Sequence, residues 1–365
     1  MPQPRNLRSS SRFDLHRTNT MAARRNFHHK NQISNITEIG MKKVLLLGMG
    51  PTALSALESL AEQFHVVGVV RQARNGADAD DMAVRRALEL SVPVLSDISV
   101  NGVQEAIEES QPDCTVVSSY NRILNPRILS RGKFVNVHYS ALPKYRGRAN
   151  VNWAILNGEA ETAITIHAIA PGLDNGNILF QQAIAIGPED TVTDIYRTLN
   201  EIQHRVLGET VARYLGGFSG VPQNESESTY GCSRVPADGE IDWSESTNNI
   251  YALIRALSPP YPGAHTYLEA RRITIVRASP VQHGHCYVGR IPGRVVGRSR
   301  VDGYVDVLTG DGMLRIHEIV VGEDGETIPA SAVITSTRQT LGLRNFDLLM
   351  RIEELERRLS ALTEK

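Results

Sequence analysis

The stretch that decides the fold is "FVNVHYSALPKYRGRANVNWAI", residues 134–155. It reads as a strand running into a loop rich in Pro, Arg and Gly, and then a helix. Phe134, Val135 and Val137 supply an apolar run, yet Asn136 and His138 interrupt it. Residues two apart in a strand point to the same face. The amide and the imidazole therefore project side by side, and Ser140 continues the alternation. Such a pair either satisfies buried carbonyls or builds a site.

Working outward, the N-terminal side alternates strand and helix. Strands are expected over 43–48, 65–70, 92–95, 113–119 and 133–140, with helices over 51–62, 80–90 and 101–110. "KVLLLG" (43–48) is apolar throughout, as a strand covered on both faces must be. This is an α/β fold with a doubly wound, mostly parallel, Rossmann-like sheet. Open sheets of this kind bind ligands at the carboxyl ends of their strands, where Asn136 and His138 lie.

On the C-terminal side, "AITIHAI" (163–169) and "NILFQQAIAI" (177–186) read as a later strand pair. A helix follows over 192–214, with Val192, Ile195, Leu199, Ile202, Val206 and Leu207 as its core stripe and Asp190 as the expected N-cap. The first domain then spans 41–216. Residues 217–234 are Gly- and Ser-rich and read as a linker. Over 235–342, "RRITIVRA", "GRVVGRSR", "GYVDVLTGDG" and "LRIHEIVV" predict a smaller C-terminal β-barrel-like domain. Residues 343–365 form an amphipathic helix. Leu348, Ile352, Leu355, Leu359 and Leu362 recur at spacings of four and three, a narrow heptad seam that either makes a homodimer or packs on its own domain.

The chain has 365 residues, 41% hydrophobic, with a net charge of -1. Residues 1–40 carry seven Arg or Lys against Asp14 and Glu38, so the remainder holds a net -6 and offers no broad basic face for nucleic acid. That first segment is expected to be disordered. It has the composition of a targeting segment. The immediate onset of a buried strand at "MKKVLLLG" favours instead an upstream extension ahead of Met41. No apolar run reaches membrane-spanning length. Cys114, Cys232 and Cys286 are scattered, which fits a reducing compartment, and a cytoplasmic location is expected. "HGHC" (283–286) is the nearest approach to a metal cluster. It lies in a Gly-bearing turn without a matching ligand group, so no metal is expected.

Two chemistries compete. "GMGPTA" (48–53) follows the first strand and matches a dinucleotide fingerprint, and Arg71 at the end of the second strand would suit the 2′-phosphate of NADP. An NADP-dependent oxidoreductase is therefore a rival. The other reading adds Asp174, at the centre of the turn "APGLDNGNI" (170–178). Beside His138, its charge would favour the imidazolium, and Asn136 would offer an amide N–H to an oxyanion. Otherwise Asp174 is simply a turn residue. Asn136, His138 and Asp174 suit acyl transfer without a covalent nucleophile.

Asn136-x-His138, the loop "SALPKYRGR" (140–148) and Asp174 in "GLDNG" together resemble the signature of the 10-formyltetrahydrofolate-dependent formyltransferases. The resemblance spans about residues 42–340. It continues through "YGCSRVPADGEIDW" (230–243) and "IRALSPPYPGAHTY" (254–267), which are similar to the linker and C-terminal barrel of methionyl-tRNA and UDP-4-amino-4-deoxy-L-arabinose formyltransferases. It implies that residues 41–216 are the catalytic domain and that a primary amine takes a formyl group from 10-formyltetrahydrofolate. Asn136 would hold the oxyanion, His138 would move the proton, and Asp174 would tune the histidine. The folate would lie along Arg122, Ile123 and Leu124 and along Ala170, Pro171, Gly172 and Leu173.

The acceptor follows from two segments. "RQARNGADADDMAVRR" (71–86) holds Asp78, Asp80 and Asp81 where the tRNA enzymes carry a basic insertion. "PKYRGRANVNW" is closer to the nucleotide-sugar enzymes, with Ser140, Arg146 and Arg148 expected on the acceptor side, unless Arg146 makes a loop-holding salt bridge instead. Asn150 and Ala141 depart from the Pro and Leu of the sugar enzymes, which leaves the sugar's identity open. A nucleotide-linked amino sugar is favoured over methionyl-tRNA. A carrier that kept the fold without activity is the non-enzyme alternative.

Overall fold

Strand β1 (Lys43–Gly48) divides its side chains between two cores: Val44 and Leu46 face one, Leu45 and Leu47 the other, and all four are fully buried. A strand covered on both faces needs this continuous apolar run. The computed structural model describes residues 41–71, 81–96, 99–120, 122–269, 271–282, 285–322 and 325–363. The disorder expected over 1–40 lies outside the described residues.

After β1 come α1 (Gly50–Ala61), β2 (His65–Val70), α2 (Met82–Glu89), β3 (Val94–Leu95), α3 (Val100–Ser110), β4 (Cys114–Ser118), α4 (Pro126–Leu129) and β5 (Lys133–His138). The short β6 (Arg146–Gly147), α5 (Asn150–Leu156), β7 (Glu161–Ala168), β8 (Ile178–Ala185) and α6 (Val192–Leu215) follow. The sheet order is β3-β2-β1-β4-β5-β7-β8. Its first five strands are parallel, while β7 and β8 run antiparallel. The order reverses between β1 and β4, opening a crevice at the carboxyl ends.

Helix α6 is capped by Thr191, not by Asp190. The Thr191 hydroxyl accepts from Asp194 N, and the Asp194 carboxylate accepts from Thr191 N at 3.1 Å, a reciprocal capping box. Asp190 instead accepts from Gly187 N at 2.7 Å within the preceding turn.

Beyond α6 the chain makes two further pairings before it enters the second core. Val221 pairs with Ile178, and β9 (Tyr230–Gly231) pairs in parallel with β6. The segment read as a linker is thus tied to the first domain at two points, to β8 through Val221 and to the separate β6–β9 pair. Then come α7 (Thr247–Ala256), β10 (Ala264–Leu268), β11 (Arg271–Pro280), β12 (Val295–Arg298), β13 (Val305–Leu308), β14 (Met313–Val321), β15 (Thr327–Pro329) and α8 (Asn345–Thr363). Strands β10 to β15 form a six-stranded antiparallel sheet in the order β10-β11-β14-β13-β12, with β15 on β14. Its core holds Trp243, Ile250, Ile273, Val305, Val307 and Ile316. Helix α7 was not foreseen in the sequence. Its Ile250 and Ile254 cover this core, and Asn152 of α5 donates to Ala256 O at 2.7 Å, joining the helix to the first layer.

Candidate active site

The amide of Asn136 and the imidazole of His138 leave the carboxyl end of β5 on one face, as their spacing requires. They form the floor of a cleft of about 910 Å³. Strand β7 runs antiparallel to β5 in a register that sets His167 directly opposite Asn136. Asp174, in the turn between β7 and β8, closes the group from above: Oδ2 lies 3.6 Å from His138 Nδ1, and Oδ1 lies 3.4 Å from Asn136 Nδ2 and 3.7 Å from His167 Nε2.

Proton positions follow from the partners. His167 Nδ1 faces the carbonyl of Ala168 at 2.9 Å and must donate to it. Its Nε2 is then a lone pair, and Asn136 Nδ2 donates to it at 3.1 Å. This fixes the orientation of the Asn136 amide. Burial holds His167 neutral and, with the neighbouring His138, depresses its pKa to about 4, against the opposing pull of Asp174. His138 Nε2 faces the carbonyl of Tyr145 at 2.8 Å, and its Nδ1 faces Asp174. Both ring nitrogens of His138 therefore look at oxygen acceptors. The Nε2 contact is within hydrogen-bond distance, whereas the 3.6 Å Nδ1 contact is a charge contact only. Asn150 Nδ2 lies 3.1 Å from the same Nε2. Nε2 therefore has two neighbours, a carbonyl and an amide, that compete for it.

Asp174 is held from several sides. Its φ of 48° is left-handed, its Oδ2 accepts from Gly147 N at 2.9 Å, and its carbonyl accepts from Gln223 Nε2 at 2.7 Å. Gly147 has φ 97°, and a side chain there would meet Gly231 O at 2.8 Å, so β6 and β9 approach closely only because both are glycine at this point. Tyr145 and Ala149 share the left-handed conformation. Strained backbone thus brackets the group from the loop that follows β5 and from the turn that carries Asp174.

Arg146 is corrected by this geometry. Its guanidinium is not on the acceptor side: it is 1% exposed and donates to Glu225 at 2.7 and 2.8 Å and to Gln223 Oε1 at 2.7 Å. It supports the amide that holds Asp174. Ser140 is likewise buried and donates to Lys144 O at 2.8 Å within its own loop. Arg148 does line the cleft, together with Gly231, Cys232 and Ser233. At the other end Arg122, Ile123 and Leu124 after β4, and Ala170, Pro171, Gly172 and Leu173 after β7, form facing walls.

The dinucleotide reading loses its anion site. Arg71 is buried and paired with Asp81 at 3.2 Å, and Asp81 also accepts from Gly50 N and caps α2 through Ala83 N. The carboxylate already sits where a phosphate would. Gly48 is required for packing, since a Cβ there would lie 2.0 Å from Ser118 O. The same contacts show that Asp81 is an internal cap rather than a surface charge facing tRNA. Asp78 and Asp80 lie outside the described residues, as do His283 and Gly284 of "HGHC"; Cys286 is exposed.

Residues 60–211 match the family described as Formyl transferase, and residues 235–338 match Formyl transferase, C-terminal domain. Together they cover well over half of the chain. The chain belongs to the formyltransferase family. Solved structures share its fold. An N-formyltransferase from Helicobacter canadensis, in complex with folinic acid and dTDP-3-aminofucose, is 22% identical with a TM-score of 0.58, over 76% of this chain and 98% of that one. WlaRD, a sugar 3N-formyl transferase, is 18% identical with a TM-score of 0.56, over 78% and 99%. HypX from Aquifex aeolicus, in complex with tetrahydrofolic acid, is 20% identical with a TM-score of 0.59, over 81% and 47%, so this chain spans about half the length of HypX. Among the described residues no helix is long and apolar enough to cross a membrane. The cleft floor contains one group that sequence reading missed, His167, and it sets Asn150, read only as a departure from the sugar enzymes, against the His138 ring. His167 looked like one polar residue in an apolar strand, and only the β5–β7 register reveals its partner.

Proposed function

We propose that this formyltransferase moves the formyl group of 10-formyltetrahydrofolate onto a primary amine, and that the amine belongs to a nucleotide-linked amino sugar. The observation that carries the reading is the convergence of Asn136, His138, His167 and Asp174 at one point of the cleft floor, between two walls of different character. The wall of Ile123, Leu124, Leu129, Val117 and Ile169 is apolar and suits a flat heterocycle, with Arg122 at its rim. The cleft volume is also that of a folate-sized site.

The residues divide the work. The amine nitrogen attacks the formyl carbon, the C–N10 bond breaks, the amine gives up one proton and N10 takes one. His138, on the cleft floor, would pass that proton between the two nitrogens. Asn136 keeps one N–H on His167; its second N–H, held only at 3.4 Å from Asp174, turns to the negative charge that grows on the formyl oxygen. Asp174 Oδ2, 3.6 Å from His138 Nδ1, is placed to balance positive charge that develops on the ring. On the acceptor side, Arg148 would meet a diphosphate. Arg234 stacks its guanidinium 5.0 Å from the Trp153 ring and adds positive charge to the same end.

The sugar reading is favoured over methionyl-tRNA by the fold likeness to sugar enzymes over nearly their whole length. The test mixes the protein with 10-formyltetrahydrofolate and, separately, dTDP- and UDP-linked amino sugars and charged initiator tRNA. Tetrahydrofolate release with one amino-sugar nucleotide is expected. Release with tRNA alone, falling steeply with salt, replaces the acceptor. No release with any amine overturns the reaction itself.

A further inference from the structure

We propose that α8 is a homodimerisation helix, pairing in parallel with α8 of a second copy of this chain. Leu348, Ile352, Leu355, Leu359 and Leu362 are between 40% and 73% exposed, so the chain's own domains do not cover the seam. A stripe of five large apolar side chains along roughly 21 Å of helix is a surface that soluble chains bury against something.

The flanking charges name the occupant. The seam sets Ile352 and Leu359 at positions a and Leu348, Leu355 and Leu362 at positions d. Ile352, β-branched at a, with Leu at each d suits two parallel strands, and Leu359 at the other a does not add to that preference. Arg351 and Arg358 then fall at g, and Glu356 at e. In a parallel pair each g residue faces the e residue five places further along the other helix. Arg351 therefore meets Glu356 of the second copy, and symmetry gives the contact twice. Arg358 has no acidic partner in that register, and Glu354 of its own helix takes it at 2.7 Å. An antiparallel pair would instead set g against g, Arg against Arg, and e against e. Phe346 and Met350 lie off the seam, and this pairing does not use them.

The test is sedimentation velocity of the full chain. A dimer is expected for the wild type, and a monomer for Leu355→Glu with an unchanged thermal unfolding curve. Arg351→Glu and Glu356→Arg each break two symmetry-related pairs and should raise the dissociation constant roughly ten-fold. The double exchange Arg351→Glu/Glu356→Arg should restore it. A wild type that stays monomeric up to roughly 100 μM overturns the proposal, and another partner then covers the helix. A dimer that survives Leu355→Glu places the interface elsewhere. Failure of the double exchange to rescue refutes the parallel register.

Discussion

Acidification should weaken this fold through His167. Burial in the β5–β7 ladder holds the ring neutral, with a pKa of about 4 against an ordinary 6.5. Between those values the unfolded chain binds a proton that the native chain refuses. Stability therefore falls as pH falls, from above 6.5 down to about 4. For one group with those two constants, the loss between pH 7 and pH 5 is about 2 kcal/mol, with a slope near pH 5.5 of roughly 1 kcal/mol per pH unit. Other groups titrate in that window, so the comparison is with His167→Gln, whose amide oxygen can still accept from Asn136 but cannot be protonated. Urea unfolding at pH 7, 6 and 5 for both proteins isolates the difference. The wild type should lose about 2 kcal/mol more than the variant. A His167 carbon resonance that titrates near 6.5, or parallel stability curves for the two proteins, refutes the reasoning. Protonation would also point an N–H at the Asn136 amide nitrogen, so activity should fall with the same group.

Four further outcomes test the site. His138→Ala should retain the native circular dichroism spectrum and lose formyl transfer by about 10²- to 10⁴-fold, and near-wild-type turnover would remove its role in proton transfer. Arg146→Met should lower kcat on the order of ten-fold while leaving acceptor KM nearly unchanged, because it loosens Gln223 and through it Asp174; a rise in KM alone would return Arg146 to the acceptor side. Gly147→Ala should cost about 1–3 kcal/mol in chemical unfolding, since it puts a side chain at φ 97° against Gly231 O, and an unchanged midpoint would show that β6 and β9 can part freely. Arg148→Met should raise KM for an anionic acceptor with kcat kept, whereas equal loss in kcat and kcat/KM would assign it to the transition state.

Much of the molecule was legible from local pattern. Strands at 43–48 and 65–70 appear where the apolar runs placed them. The alternation of Asn136 and His138 marked the site, because a strand's period of two is a property of the backbone alone. Asp174 could be named because a Gly-bracketed Asp in a tight turn is a local feature. Helix α7 escaped notice because its apolar positions cover a sheet formed by segments that follow it. Asp190 and Thr191 are both good caps, and only the contact with Asp194 chose between them.

What the sequence by itself determined is therefore the layer architecture and the three polar groups at the end of β5 and in the β7–β8 turn. These depend on periodicity and turn chemistry, which act over a few residues. Tertiary structure decided the rest. Registers between strands far apart in the chain set His167 against Asn136, and the segment after α6 brings Gln223 and Glu225 to Arg146. An arginine in a basic loop looks the same in sequence whether it faces a substrate or a carboxylate of its own chain. Only a contact across 79 residues separates the two.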